Sequence, residues 1–188
     1  MDHEGVTGFI LAGGASSRMG RDKGLCHFNG KELVSYSIEI LKPICDYIII
    51  STNNPEDYQK FGLQIVGDEI KNIGPIGGIY SCLKQSVTVK NLVVSCDIPF
   101  LTKEALEYIL SKSDDFEIVI PQHSDSYYEP LAGYYSTSII PTIENSIHQR
   151  DYKLINLFSE VKFRAISTGD LPGLGIQFRN MNTPEDLL

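Results

Sequence analysis

Two adjacent glycines, Gly13 and Gly14, are followed by Arg18, Gly20, Arg21 and Lys23. Those residue types suit one kind of chemistry, the holding of phosphate. Glycine lets the backbone take positive φ and brings its N–H groups close to a bound anion. Arg18 offers a planar fork that matches phosphate oxygens, and Arg21 and Lys23 add further positive charge. The short apolar run before them, residues 8–11, reads as a buried strand feeding the loop. The dinucleotide pattern G-x-G-x-x-G is missing, because Gly13 and Gly14 are adjacent and no third glycine follows at the required offset. The Walker pattern fails too, because Lys23 stands between Asp22 and Gly24. A nucleoside triphosphate is the ligand such a loop suits. A Gly/Ser surface loop with solvated cations is the bland alternative.

Asp97 closes the apolar run Leu92-Val93-Val94-Ser95-Cys96 and precedes Ile98-Pro99. A carboxylate at the end of a buried strand costs desolvation unless something positive faces it. A Mg²⁺ ion shared with substrate phosphates would supply that charge. A helix cap is the alternative, although Thr102 already suits that role for the next helix. Ser51-Thr52-Asn53-Asn54-Pro55 reads as an Asx turn opening a helix at 56–61. Asp68 ends another strand, where it reads as an ordinary turn acid, although a carboxylate can also accept two adjacent N–H donors. Gly74-Pro75-Ile76-Gly77-Gly78 is a second glycine loop, placing backbone donors at a helix start. The polar and aromatic run 122–128, with His123, reads as an exposed hairpin tip, the alternative being a mobile lid that stacks on a planar ligand, and His123 reads as facing solvent. Thr183-Pro184-Glu185-Asp186 reads as a helix N-cap.

The segment Leu11-Ala12-Gly13-Gly14-x-Ser16-x-Arg18-Met19-Gly20-x-Asp22-Lys23 resembles the signature of nucleotidyltransferases that act on sugar phosphates and molybdopterin. Within that superfamily it is most similar to the molybdenum cofactor guanylyltransferase (MobA) family. Gly13 leans that way, since the cytidylyl-transferring relatives usually carry alanine there. Further resemblances lie in Cys96-Asp97-x-Pro99, in Gly74, Pro75 and Gly78, in Glu129 to Tyr135, and in Asn180-Met181-Asn182-Thr183-Pro184-Glu185-Asp186-Leu187. Together they span 8–187.

The resemblance implies transfer of GMP from GTP to molybdopterin, with release of pyrophosphate. It implies catalytic roles for Lys23, Arg18 and Asp97, with Asp97 on Mg²⁺ (or Mn²⁺). It places Leu11, Ala12, Gly13, Gly14, Asn53, Asp68 and Gly78 on the nucleotide, and Asn180 and Asn182 near the acceptor or metal. Transient contacts with other molybdenum cofactor proteins are implied as well. A relative using CTP on molybdopterin, or an NTP on a sugar or alditol phosphate, is the rival enzyme. A non-catalytic nucleotide- or cofactor-binding protein is the rival of another class.

Elements must carry these residues to one place. Strands are predicted at 8–11, 47–51, 64–66, 92–95, 117–120, 131–135 and 162–166. Their continuous Ile/Val content suits strands covered on both faces. Helices are predicted at 32–41, stopped by Pro43, at 79–85, at 102–111, at 138–148 with Pro141 in the first turn, and at 152–158. Such alternation gives right-handed crossovers and a mainly parallel, Rossmann-like three-layer α/β/α sandwich. By resemblance it is of the nucleotide-diphospho-sugar transferase type. Ligands in such sheets bind beyond the carboxyl ends of the strands.

A chain of 188 residues with 42% apolar content fits one folded domain, 1–188. No apolar run of membrane-spanning length occurs, and the acidic N-terminus is no secretion signal. Sixteen basic against 24 acidic residues give a net charge of −8, which argues against nucleic acid as a partner. An anionic ligand must then be captured locally. Cys26, Cys45, Cys82 and Cys96 form no C-x-x-C pair, and read as reduced thiols of a cytoplasmic protein.

Overall fold

A computed structural model describes residues 3–13, 22–124, 127–172 and 175–187. The elements run, in chain order, β1 (His3–Leu11), β2 (His27–Phe28), β3 (Lys31–Glu32), α1 (Leu33–Leu41), β4 (Tyr47–Ser51) and α2 (Pro55–Tyr58). Next come β5 (Gln64–Val66), α3 (Pro75–Gln85), β6 (Thr88–Ser95), α4 (Lys103–Leu110), β7 (Ile118–Ser124) and β8 (Tyr127–Tyr128). The chain ends with β9 (Ala132–Ser136), α5 (Ile140–His148), α6 (Leu154–Leu157), β10 (Phe163–Ser167) and short 3₁₀ turns.

The main sheet has the order β5-β4-β1-β6-β9-β7-β10, with β8 paired to β7. The pairs of β1 with β4 and β6, β4 with β5, and β7 with β10 are parallel. β9 runs against both β6 and β7. Alternate residues of each strand point to opposite faces. Ile10, Ile50, Leu92, Val94, Val119 and Tyr134 meet Val34 and Leu41 of α1, Tyr58 of α2, and Ala105, Leu106 and Ile109 of α4. Phe9, Ile49, Val93, Ile118, Ile120 and Tyr135 meet α3, α5 and α6 through Ile76, Ile79, Leu83, Ile143, Leu154 and Leu157. Burying each Leu or Ile contributes about 1.5–3 kcal/mol over exposure. The three-layer α/β/α sandwich with a mainly parallel sheet therefore stands, with helices on both faces. No helix among the described residues is long and apolar enough to cross a membrane.

The helix starts follow their local chemistry. Thr102 caps α4, its hydroxyl accepting the Ala105 N–H at 3.2 Å. α3 begins earlier than its apolar pattern suggests, at Pro75, because Gly74 with φ 75° turns the chain and Pro75 is preset for the first helical position. The predicted helix at 152–158 shortens to Leu154–Leu157.

Gly133 sits in β9 opposite Val93 of β6, where there is no room for a side chain. A Cβ there would lie 2.5 Å from Ile120 Cγ2 and 2.8 Å from the Val119 carbonyl oxygen. Gly133→Ala is expected to cost about 2–3 kcal/mol through overpacking between two central strands. A lowered denaturation midpoint in urea checks this, and an unchanged midpoint contradicts it.

Candidate functional site

β1 and β6 are parallel neighbours with Leu11 opposite Ser95, so the loops at their carboxyl ends open side by side. Asp97 stands two residues beyond Ser95. Lys23 stands in a 3₁₀ turn, Lys23–Leu25, beyond the end of β1. Lys23 Nζ lies 2.5 Å from Asp97 Oδ2 and donates to Asn182 Oδ1 at 2.8 Å. Ser95 Oγ donates to the other Asp97 oxygen at 2.5 Å. The pair is largely shielded, with side-chain exposures of 21% and 13%, so water screens it only partly. Among the described residues, Asp97's side chain thus meets a cation and a hydroxyl and caps no helix.

The C-terminal segment reaches this point because the Met181 N–H donates to the Asp97 carbonyl at 2.8 Å. Asp186 secures the following turn, accepting the N–H groups of Asn182 and Thr183 and the Thr183 hydroxyl. Those backbone bonds are the main reason its carboxyl is held below the usual range. Here Asp186, three residues after Thr183, bonds back to that residue, but the element it closes is a 3₁₀ turn rather than an α-helix.

Asn53 and Asp68 extend the parallel register of β4 and β5, in which Ser51 lies opposite Val66. Asn53 Nδ2 donates to Asp68 Oδ2 at 2.9 Å, and the Asp68 N–H donates back to Asn53 Oδ1 at 3.1 Å. Gly78, in α3, lies against this pair: a Cβ on it would sit 3.5 Å from Asp68 Oδ1 and 3.6 Å from Ser51 Oγ. The expected capping side chain of α2 is different. Asn54 makes no side-chain cap bond; instead Thr52 Oγ1 accepts its N–H, and its amide donates to Asp22 Oδ2 at 3.3 Å.

On the far side of Asp97, β9 enters from the opposite direction, so Glu129 and Pro130 lie near the carboxyl end of β6, where the Ser95 N–H donates to the Leu131 carbonyl. His123 does not simply face solvent. Its Nε2 lies 2.9 Å from Glu129 Oε1, and its ring packs edge-on against Phe178 and tilted against Tyr127. Burial holds the Glu129 carboxyl above its ordinary value, while His123 pulls it down and the charge of Asp97 adds to the rise. The hairpin expected from 122–128 is present as β7–β8, without residues 125–126 in the description.

Lys23, Asp97 and Asn182 are therefore brought into contact, and Asn53, Asp68 and Gly78 form a second group along the same edge of the sheet. Arg18 and Gly14 lie outside the described residues. Leu11 and Ala12 form the floor between the groups. The Ala12 N–H already donates to the Ser51 carbonyl at 2.9 Å, and the Leu11 carbonyl accepts from Cys96. Of that segment, Gly13 is the exposed one among the described residues. Asn180 is half-buried and shares no hydrogen bond with Lys23 or Asp97 among the described residues. Two contacts escape sequence reasoning: that of Ser95, hidden in an apolar run, and that of Tyr58 with Asp22, a residue of the resembling segment to which that reasoning gives no role. Only the loop order Asp22-Lys23-Gly24 hinted at the last.

Among the described residues, no group of three or more His, Cys, Asp or Glu could hold a metal ion alone. Asp97 offers one carboxylate with Ser95 and Asn182 oxygens nearby. That donor set fits a hard divalent ion whose remaining ligands are phosphate oxygens and water.

The family model described as the MobA-like NTP transferase domain matches residues 8–162. A probable molybdenum cofactor guanylyltransferase of Pelotomaculum thermopropionicum is 34% identical over 186 residues, 97% of this chain and 90% of that protein. A molybdenum cofactor guanylyltransferase of Vibrio vulnificus is 34% identical over 181 residues, 95% of this chain and 91% of that protein. The crystal structure of molybdopterin-guanine dinucleotide biosynthesis protein A from Archaeoglobus fulgidus superposes with a TM-score of 0.80 at 26% identity, covering 96% of this chain and 94% of that one.

Proposed function

The chain belongs to the MobA-like NTP transferase domain family, and from that premise we propose that it transfers GMP from GTP to molybdopterin. The acceptor's terminal phosphate attacks the α-phosphorus of GTP, a new P–O bond forms, and pyrophosphate leaves. The acceptor is already an anionic nucleophile, so no covalent enzyme intermediate is needed. What remains for the protein is alignment and charge neutralisation. The observation that carries this reading is the contact of Lys23 with Asp97 at the mouth of β1 and β6.

Lys23 and the exposed Gly13 backbone take the triphosphate, with Arg18 as a further cation. Asp97 holds a divalent ion, Mg²⁺ or Mn²⁺, which when bound neutralises the phosphates and polarises the reacting phosphorus. Asn53 fixes the Asp68 carboxylate so that its oxygens can accept from the guanine edge, with Gly78 leaving space beside it. Asn182, joined to Lys23, sits on the acceptor side with Asn180. We place the protein in the cytoplasm as a single transferase unit over 1–188, passing its product to other molybdenum cofactor proteins. Its four cysteines are free thiols, which supports a reducing compartment.

Gly13 is not forced by packing. A Cβ there would meet Thr52 Cα at 3.7 Å and the Ser51 oxygen at 3.8 Å, ordinary contacts. Base choice is therefore assigned to Asp68. Asp68→Asn, which gives up one acceptor oxygen, is expected to reduce the preference for GTP over CTP by roughly tenfold to a hundredfold. Steady-state kinetics with GTP, CTP and ATP on molybdopterin test both points. A native enzyme that prefers CTP would overturn the guanylyl reading, and an unaltered ratio in the variant would remove Asp68 from the base.

A further inference from the structure

We propose that Tyr58, a phenol buried beneath the phosphate loop, is a positioning residue for Lys23, acting through the carboxylate of Asp22. The proposal rests on Lys23 serving the triphosphate, as argued above. Tyr58 is fully buried at the end of α2, within the core cluster that includes Ala12. Its hydroxyl rises out of that cluster and donates to Asp22 Oδ1 at 2.5 Å. The same oxygen accepts the Gly24 N–H at 3.1 Å, which closes the 3₁₀ turn around Lys23. Asn54 donates to the second oxygen, and the Cys26 thiol lies 3.6 Å from the Asp22 carbonyl. Lys23 is thus the one residue between Asp22 and Gly24, held on either side.

Why the root matters follows from the lysine itself. Its long side chain has many rotamers, so Nζ is directed only if the backbone beneath it is fixed. A Cβ at Gly24 would run into the Tyr58 hydroxyl, which shows how closely the turn rests on the ring. Burial, and then the bond to Asp22, push the phenol well above the usual tyrosine range, so it remains a donor at every working pH. The neighbouring Asp57 acts in the same direction. α2 also follows directly on Asn53 and Asn54, so one short helix ties the nucleotide edge of the site to the lysine loop.

The test is a double-mutant cycle on kcat/KM for GTP, read by pyrophosphate release. Tyr58→Phe keeps the ring in the core and removes only the hydroxyl. It is expected to lower kcat/KM roughly tenfold in the native background, and less than twofold when Lys23 is already alanine. Equal losses in both backgrounds would mean a structural role only, and no loss in the native background would also overturn the proposal. If the native protein turns over no nucleotide, the transferase reading fails instead. Hydrogen exchange at the Gly24 amide then decides the positioning: it should quicken about tenfold in Tyr58→Phe, and unchanged exchange refutes it. Should that variant not fold, Asp22→Ala enters the same cycle with the same expectations.

Discussion

Asp97→Ala is expected to lower nucleotidyl transfer by on the order of 10³-fold while the fold survives. Asp97 is the carboxylate that meets both Lys23 and Ser95, and no cluster of acids among the described residues could replace it. Its loss removes the proposed ligand for the ion and the partner of Lys23 at the carboxyl ends of β1 and β6. The structural cost is modest. Lys23 keeps a bond to Asn182 and access to water, and Ser95 lies at the rim, so a loss of about 1–2 kcal/mol is expected. Thermal melting should therefore shift by only a few degrees. Asp97→Asn separates charge from shape, because the amide can still pair with Ser95. It too should be nearly inactive if charge is what matters. Pyrophosphate release with Mg²⁺ present is the measurement, and native turnover in either variant would remove Asp97 from the chemistry.

The sequence carried the parts of the fold that depend on local pattern. In the Ile-rich run at Tyr47–Ser51, Ile49 and Ile50 are buried on opposite faces, and the apolar end of β6 is likewise buried on both, although Tyr47 at the start of the run is exposed. The direction of β9 was not legible, because Ala132–Ser136 is buried throughout, like a parallel central strand. Its reversal depends on which neighbours it meets. One local signal was overlooked: His27-Phe28-Asn29-Gly30-Lys31-Glu32 is an Asn-Gly hairpin, and both turn residues take positive φ, 48° and 78°. In the site, Lys23 and Asp97 were visible because glycines, cations and a strand-end acid are unusual together. Tyr58 was not, since a tyrosine in a short helix reads as core until the fold brings it against Asp22, 36 positions earlier. His123 sits on the surface as expected, yet its ring pairs with Glu129 of the same hairpin region and packs edge-on against Phe178, and the second contact joins distant segments that no spacing announces.

Lys23→Ala is expected to act in two opposite directions. Turnover with GTP should fall by on the order of 10²-fold, because the cation proposed for the triphosphate is lost and Asp97 can supply none. Binding of a bare divalent ion should strengthen. In the native protein Lys23 lies 2.5 Å from Asp97 Oδ2, where it competes for the carboxylate an ion needs. At partly screened distances of that size a single positive charge opposes a dication by about a kcal/mol or more. Removing it is expected to tighten Mn²⁺ binding to the nucleotide-free protein by roughly tenfold, measured by calorimetry or by the loss of free-ion electron paramagnetic signal. Lys23→Arg retains the charge and should not show that gain. Weaker Mn²⁺ binding in Lys23→Ala would mean that the lysine does not guard Asp97, and the ion would have to be sought elsewhere. Tighter binding together with lost turnover would mean that Lys23 both competes for the Asp97 carboxylate and serves turnover, so that drawing Lys23 toward nucleotide phosphates would leave Asp97 able to hold an ion.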